Sequence, residues 1–288
     1  MLVLAALIAV TAVWGVTFVQ VKDAVALYPL FAFLAVRFAI ATLTLAVPGT
    51  RRVRMLGRTG IGGGALLGLL LAAGYALQTA GLERITVSGT GFITGMYVVL
   101  TPLVALVLFR SRIAAAAWAG VAVSTLGLAL LSGVHAGSAA GDLLVLAGAA
   151  VYSLQIVLME RFAPRYDALA FTLVEMAAAC LGLGAIALAR GELGVPHGWT
   201  VWGALLVTGV FASGLAFLVQ TWAQRRTSAT RTALAFAMEP VFAALFGISL
   251  AGDRLGALGW TGCAAIMAGI VLAEPAAADV LRRVLRPA

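Results

Sequence analysis

Arg37, Glu175 and Glu239 stand well inside long apolar runs of this sequence. Such groups are expensive in hydrocarbon and usually face the interior of a helix bundle or a wet cavity. A carboxyl group so placed can load and release a proton, and a guanidinium can hold a carboxylate or tie helices together. These three are therefore candidates for charge recognition or coupling, although Arg37 serves equally as a cap for carbonyls. Around them, polar and aromatic residues recur at related places: Trp14, Thr17, Tyr75, Gln78, Tyr97, Gln155, Phe217, Gln220 and Met238. Glutamine amides can bind amino or carboxyl groups, and aromatic faces stack on flat or cationic ligands. Taken singly, each is better explained by packing and hydrogen bonds between helices. As a set they form a candidate substrate wall.

The scaffold that must position them is set by composition. Of 288 residues, 63% are hydrophobic and 10% are charged, with a mean hydropathy of +1.09. No soluble domain could hide that much apolar surface, so the chain is expected to be an integral membrane protein. The apolar runs do not alternate, which excludes a barrel and leaves an all-α fold. Cys180 and Cys263 lie within apolar runs and read as buried thiols. Both histidines, His135 and His197, fall in expected loops and carry no assigned role. The net charge of +8 concerns orientation in the bilayer, not nucleic acid. The first apolar run lacks a basic leader and a cleavage site, and reads as a retained helix. No His/Cys metal cluster, HExxH, GxSxG or P-loop is present; an enzyme, an ATP-driven pump and a bound cofactor are not expected. The glycine-rich stretch at 89–95 has the wrong spacing for a dinucleotide loop and reads as helix packing.

Ten membrane-spanning helices are expected, at about 2–20, 29–47, 61–81, 88–109, 113–132, 143–159, 169–189, 199–223, 231–250 and 257–274. With the N-terminus cytoplasmic, Lys22, Arg84, Arg190 and Arg254 fall outside, fourteen basic residues fall inside, and Arg37 stays within a span. That asymmetry places both termini in the cytoplasm.

The chain also repeats itself. GYALQTA at 74–80 returns as AFLVQTW at 216–222, a shift of 142 residues that also carries Trp118-Ala119-Gly120 onto Trp260-Thr261-Gly262. A shift of 138 carries Trp14 onto Tyr152 and Arg37 onto Glu175. Five spans per unit is an odd number, so the second unit must enter from the opposite side. Two inverted five-helix repeats, residues 1–135 and 136–288, are expected. Arg37 and Glu175 then lie at roughly 12 Å and roughly 10 Å from opposite surfaces, and a direct pair needs a favourable tilt. Pro102 and Pro240 each remove a backbone hydrogen bond within a span. They are expected either to form the hinges of a cytoplasmic gate or to be static kinks that shape the bundle.

Four stretches carry a resemblance: VWGVTFVQVK at 13–22, AVRF at 35–38, GFITGMYVVLTPLVAL at 91–106 and TRTALAFAMEPVFAALFG at 230–247. With the double five-helix pattern, they resemble the ten-helix EamA-type exporters of the drug/metabolite transporter superfamily, most of all its amino-acid exporters. The resemblance implies a monomer in a bacterial inner (plasma) membrane, with lipid and a small-molecule substrate as partners. It implies export of amino acids, including aromatic ones, or of amphipathic drugs by alternating access, the cavity lined by helices 1–4 and 6–9 with helices 5 and 10 peripheral. The four-helix relatives exchange protons at a glutamate in their first helix, but span one here has no acidic residue before Asp23. An uncoupled facilitator or channel is the alternative.

Overall fold

Polar caps and short breaks divide the apolar chain into rods. The computed structural model describes residues 2–132, 138–251 and 256–273. The expected loop residue His135, the basic residues Arg254, Arg282, Arg283 and Arg286, and the repeat junction at 135/136 lie outside the described residues. Among the described residues there are ten helical rods and no strand. They are α1 (Leu2–Val25), α2 (Leu30–Val53), α3 (Gly57–Leu82), α4 in two pieces (Val87–Gly95 and Tyr97–Phe109), α5 (Ala115–Ser132), α6 (Ala139–Phe162), α7 (Ala168–Ala189), α8 (Trp199–Gln224), α9 in two pieces (Ala229–Phe236 and Glu239–Ala251) and α10 (Ala257–Ala273).

The caps follow the sequence register. Thr86 starts α4 by accepting from the Gly89 backbone N–H at 3.1 Å, and Ser228, 142 residues later, starts α9 by accepting from Arg231 at 3.4 Å. The interruptions match as well: α4 breaks at Met96, and α9 breaks at Ala237 and Met238. Tyr97 and Glu239, again 142 apart, are each the first residue after the break.

Among the described residues, seven stretches are long and apolar enough to cross a membrane, and α5 and α10 are shorter apolar helices. One of the seven, Leu30–Leu82, has 53 residues and would run about 80 Å if straight. Instead the chain reverses after Leu56, at Gly57 with φ of 62°, and α2 packs back on α3. The reversal comes later than the expected end at residue 47. Helix α2 continues through Pro48, and Arg51 and Arg52 occupy its last turn, where cations offset the partial negative charge of the free carbonyls.

The two sets of five helices interleave, and the heaviest packing is between them: α2 on α7, α5 on α10, α3 on α6 and α7, α1 on α8 and α9, α4 on α6, and α2 on α8. Exchanging the sets maps these pairs onto themselves or onto one another, as at a self-complementary two-fold interface. The seam between α5 and α10 shows it atom by atom. A Cβ on Gly127 would lie 2.7 Å from the Gly262 carbonyl oxygen, and one on Gly262 would lie 2.6 Å from that of Gly127. Gly120 faces Gly269 in the same way. Only glycine allows so close a backbone approach.

The distribution of polarity is inverted relative to a water-soluble protein. Val47, Val107, Leu181 and Leu188 are exposed on the outer faces. Arg37, Glu175, Glu239 and the side chains of Gln78, Gln155, Gln220 and Gln224 are buried within the bundle. An apolar exterior around a polar interior suits a hydrocarbon surround.

Candidate functional site

The buried polar groups converge on a cavity inside the bundle, lined by aromatic and polar side chains as small-molecule sites are. Its wall comes from seven helices: α1 (Trp14, Thr17, Phe18, Val21), α2 (Arg37), α3 (Tyr75, Gln78, Thr79, Leu82), α4 (Thr94, Tyr97), α6 (Tyr152, Gln155, Ile156), α8 (Phe217, Gln220) and α9 (Phe236, Glu239). Helices α5, α7 and α10 contribute none of these residues.

Aromatic rings form the body of the wall. Trp14 meets Phe236 at 4.8 Å and Phe217 at 5.7 Å between ring centres. Tyr75 meets Tyr152 edge-on at 5.5 Å, and the Arg37 guanidinium sits 4.5 Å above the Tyr75 ring. Edge-to-face rings and a cation over a ring face are the arrangements favoured by aromatic quadrupoles.

Each polar group is held by another helix. A π-helical turn at Thr208–Leu215 widens α8. Within it the Ala212 carbonyl accepts from the Trp14 indole N–H at 2.7 Å, and Ser213 accepts from Arg37 Nε at 2.8 Å. Arg37 also donates to the Tyr75 hydroxyl at 3.2 Å. Across the two sets of helices, Tyr152 of α6 donates to Gln78 Oε1 of α3 at 3.1 Å, and Gln78 Nε2 donates to Thr94 of α4 at 2.9 Å. A chain of amides runs outward from the wall: Gln220 Nε2 donates to Gln155 Oε1 at 3.1 Å and to Gln224 Oε1 at 2.9 Å. Gln155 Nε2 in turn donates to Glu175 Oε1 at 2.8 Å. At α9, the Tyr97 hydroxyl lies 2.9 Å from the Phe236 carbonyl oxygen and 3.1 Å from Glu239 Oε2.

Eight of the nine residues expected at a substrate wall line this cavity. The exception is Met238, which lies in the break of α9 and packs with Val241, Cys263 and Ile266. The break turns its side chain away, and Phe236, two residues earlier, takes the wall position. Arg37 and Glu239 reach the cavity, whereas Glu175 lies behind the wall on α7, joined to it through Gln155. Arg37 and Glu175 do not pair: Arg37 turns to Ser213 and Tyr75, and Glu175 turns to Gln155. Pro102 lies inside the unbroken piece Tyr97–Phe109, so the interruption of α4 at Met96 is not at this proline. Pro240 is the second residue after the break in α9. Tyr152, Thr94 and Phe236 escaped the sequence reading, yet the repeat points to all three. Tyr152 corresponds to Trp14, and Thr94 and Phe236 correspond to each other at the 142 shift.

Proteins similar to this chain in sequence are named as transporters. The model of the EamA-like transporter family matches this chain twice, at residues 1–133 and 139–273. An uncharacterized transporter of Archaeoglobus fulgidus is 28% identical over 266 residues, covering 91% of this chain and 82% of that protein. The uncharacterized inner membrane transporter YedA of Escherichia coli K12 is 26% identical over 272 residues, covering 93% of this chain and 89% of that protein. A protein crystal structure 21% identical in sequence superposes with a TM-score of 0.78 over 96% of this chain and 98% of its own. An all-helical membrane bundle with a polar central cavity, matched along both of its halves, belongs to the EamA-like transporter family.

Proposed function

We propose that the protein is a secondary exporter of small zwitterionic metabolites, amino acids with aromatic side chains foremost, and of amphipathic drugs of similar shape. The observation that carries this reading is the placement of Arg37 and Glu239. Both face one cavity, and they form no ion pair with each other. A guanidinium and a carboxyl group left unpaired on one cavity wall suit a molecule bearing a carboxylate and an ammonium. Arg37, steadied by Ser213 and Tyr75, receives the carboxylate; Glu239 receives the ammonium. The rings of Trp14, Tyr75, Tyr152, Phe217 and Phe236 take the side chain, and Gln78, Gln155, Gln220 and Thr17 supply the remaining polar contacts. Two basic groups or more would suit a highly anionic substrate better.

In this reading ten helices cross the bacterial inner membrane as two inverted repeats, 1–135 and 136–288, in a monomer with both termini cytoplasmic. The interface pairing of the helices, the reciprocal glycines of α5 and α10, and the two family matches support it. A cavity between interleaved, pseudo-symmetric halves can open to one face or the other as the halves rock. The matched breaks at Met96 and Met238 supply flexible points, with Pro240 at the second.

Counterflow in proteoliposomes tests the reading. Purified protein is loaded with unlabelled phenylalanine, tryptophan, leucine or threonine, and uptake of the labelled amino acid is followed. A carrier accelerates uptake when unlabelled substrate is inside. Uptake indifferent to the inner pool would make the protein a channel or facilitator, and no uptake of any of the four would remove amino acids as the substrate class.

A further inference from the structure

Residue 240 is proline, and that single fact opens a carbonyl beside a cavity carboxylate. In a continuous helix the Phe236 carbonyl would accept from the N–H four residues on, but Pro240 has none. The Tyr97 hydroxyl takes that place at 2.9 Å, and the same hydroxyl lies 3.1 Å from Glu239 Oε2. A phenol has one hydrogen to donate. It can satisfy the carbonyl or an ionised carboxylate, not both. Both short contacts are satisfied together only when Glu239 carries a proton and donates it to the Tyr97 oxygen, leaving the Tyr97 hydrogen for Phe236.

We propose that Glu239, on α9, is the proton-carrying site of this chain, its proton exchanged against the substrate's ammonium. This deepens the zwitterion reading and rests on it for the identity of the exchanged cation. One carboxylate can hold a proton or an ammonium but not both, and that exclusion is sufficient for exchange. When substrate arrives, the Glu239 O–H bond breaks and its proton passes to water. The carboxylate left behind pairs with the ammonium, and Tyr97 turns its hydrogen from Phe236 to Glu239. The Phe236 carbonyl thereby loses its donor directly before the break at Ala237 and Met238. The charge state of the site is thus tied to the flexible point of α9. The reverse step reloads one proton from the other side.

The groups facing Glu239 are compatible with this role. Helix α4 brings Tyr97, α3 Tyr75, α6 Tyr152 and α2 Arg37, all on the same wall. From α1 come the non-titrating Trp14, Thr17 and the Gly15 backbone, which approaches the Glu239 carbonyl. On α10, Cys263 lies in the apolar cluster with Met238 and Val241, away from the cavity; α5 brings no titratable side chain. Among the described residues Glu239 is the one carboxylic acid on the cavity wall.

The test combines a readout that needs no substrate with one that does. Infrared difference spectra of the purified full chain between acid and alkaline buffer should show a protonated-carboxyl band that Glu239→Gln abolishes and Glu175→Gln leaves in place. Adding whichever of the four amino acids gives the fastest counterflow to weakly buffered wild-type protein should release about one proton per molecule, and none from Glu239→Gln. If Glu239→Gln does not yield folded protein, Tyr97→Phe carries the test by shifting the band through loss of its hydrogen-bond partner. A band unchanged by Glu239→Gln, or unshifted by Tyr97→Phe, overturns the proposal. Counterflow without proton release also overturns it while leaving the transport reading intact. Failure of counterflow with all four amino acids instead sinks the substrate reading, and the infrared titration alone then decides the proton site.

Discussion

The Trp14 indole N–H is bonded at 2.7 Å to the Ala212 carbonyl, in the π-helical turn of α8. The widened turn shifts the backbone ladder of α8, and a side chain from α1 fills the carbonyl so exposed. Segments of this kind are rare and frequent at functional sites. Here the turn also presents Ser213 to Arg37, so one local distortion anchors both α1 and α2 at the cavity wall.

Trp14→Phe should therefore lower the thermal midpoint in detergent. The smaller ring can still meet Phe236 and Phe217, but the carbonyl of the fully buried Ala212 loses its donor. A buried group left unsatisfied costs about 1–3 kcal/mol. A midpoint equal to the wild type would show that the bond does not hold α8 in place.

Gly127→Leu and Gly262→Leu should destabilise the protein to a similar extent. Each new side chain would be driven into the facing backbone, with the first carbon already inside contact distance. Overpacking of this kind costs about 1–3 kcal/mol or more. Neither α5 nor α10 contributes to the cavity wall, so the folded fraction should keep the wild-type KM. Size-exclusion profiles and transport per folded molecule separate the two effects, and a changed KM with unchanged stability would contradict this division of labour.

What the sequence made legible was mainly the register of the repeat. The 142-residue shift places Tyr97 on Glu239, Gly120 on Gly262 and Thr86 on Ser228, and in the structure these become a hydrogen-bonded pair, a glycine seam and a pair of caps. Trp14, Gln78 and Gln220 were legible because polar and aromatic groups in hydrocarbon are few and must face inward. Met238 was misplaced because a break in a helix resets which face the following residues occupy, and no local signal other than Pro240 announces that break. The π-helical turn at Thr208–Leu215 has no sequence signature, so the pairing of Arg37 with Ser213 could not be foreseen. Glu175, a candidate for charge recognition or coupling, lies behind the wall and accepts from Gln155 instead, where the α7 backbone closes on α3 at Gly68.

Arg37→Lys should weaken binding of zwitterionic substrates by roughly 10- to 100-fold in KM, the equivalent of about 1.5–3 kcal/mol for a charge-assisted bond. Lysine keeps the charge but loses the planar fork that bonds Ser213 and Tyr75 together. Tyr75→Phe, which keeps the ring beneath Arg37 and removes one acceptor, should raise KM only severalfold, in line with about 0.5–1.5 kcal/mol. Comparing phenylalanine with phenylalaninamide is decisive. The wild type should prefer the carboxylate, and Arg37→Lys should erase the preference. A preference that survives the substitution would mean that Arg37 ties helices together and does not read the substrate.

The amide chain behind the wall makes the last prediction. Glu175 Oε1 accepts from Gln155 Nε2, Gln155 Oε1 accepts from Gln220 Nε2, and Gln220 reaches Gln224. An acceptor at Glu175 fixes the direction of Gln155, and through it the direction of Gln220 at the cavity. Glu175 Oε2, by contrast, is buried without a hydrogen-bond partner. Glu175→Gln retains the acceptor and should change stability by less than about 1 kcal/mol while transport continues. Glu175→Ala removes the acceptor, frees Gln155 to turn, and should cost about 1–3 kcal/mol together with a raised KM. Thermal unfolding of the wild type, Glu175→Ala, Gln155→Ala and the double variant closes the cycle. Residues in one hydrogen-bond network couple by about 0.5–3 kcal/mol, so the double variant should be less destabilised than the sum of the singles. Strict additivity would mean that the two side chains meet without holding each other, and the polarity of Gln220 at the cavity would need another cause.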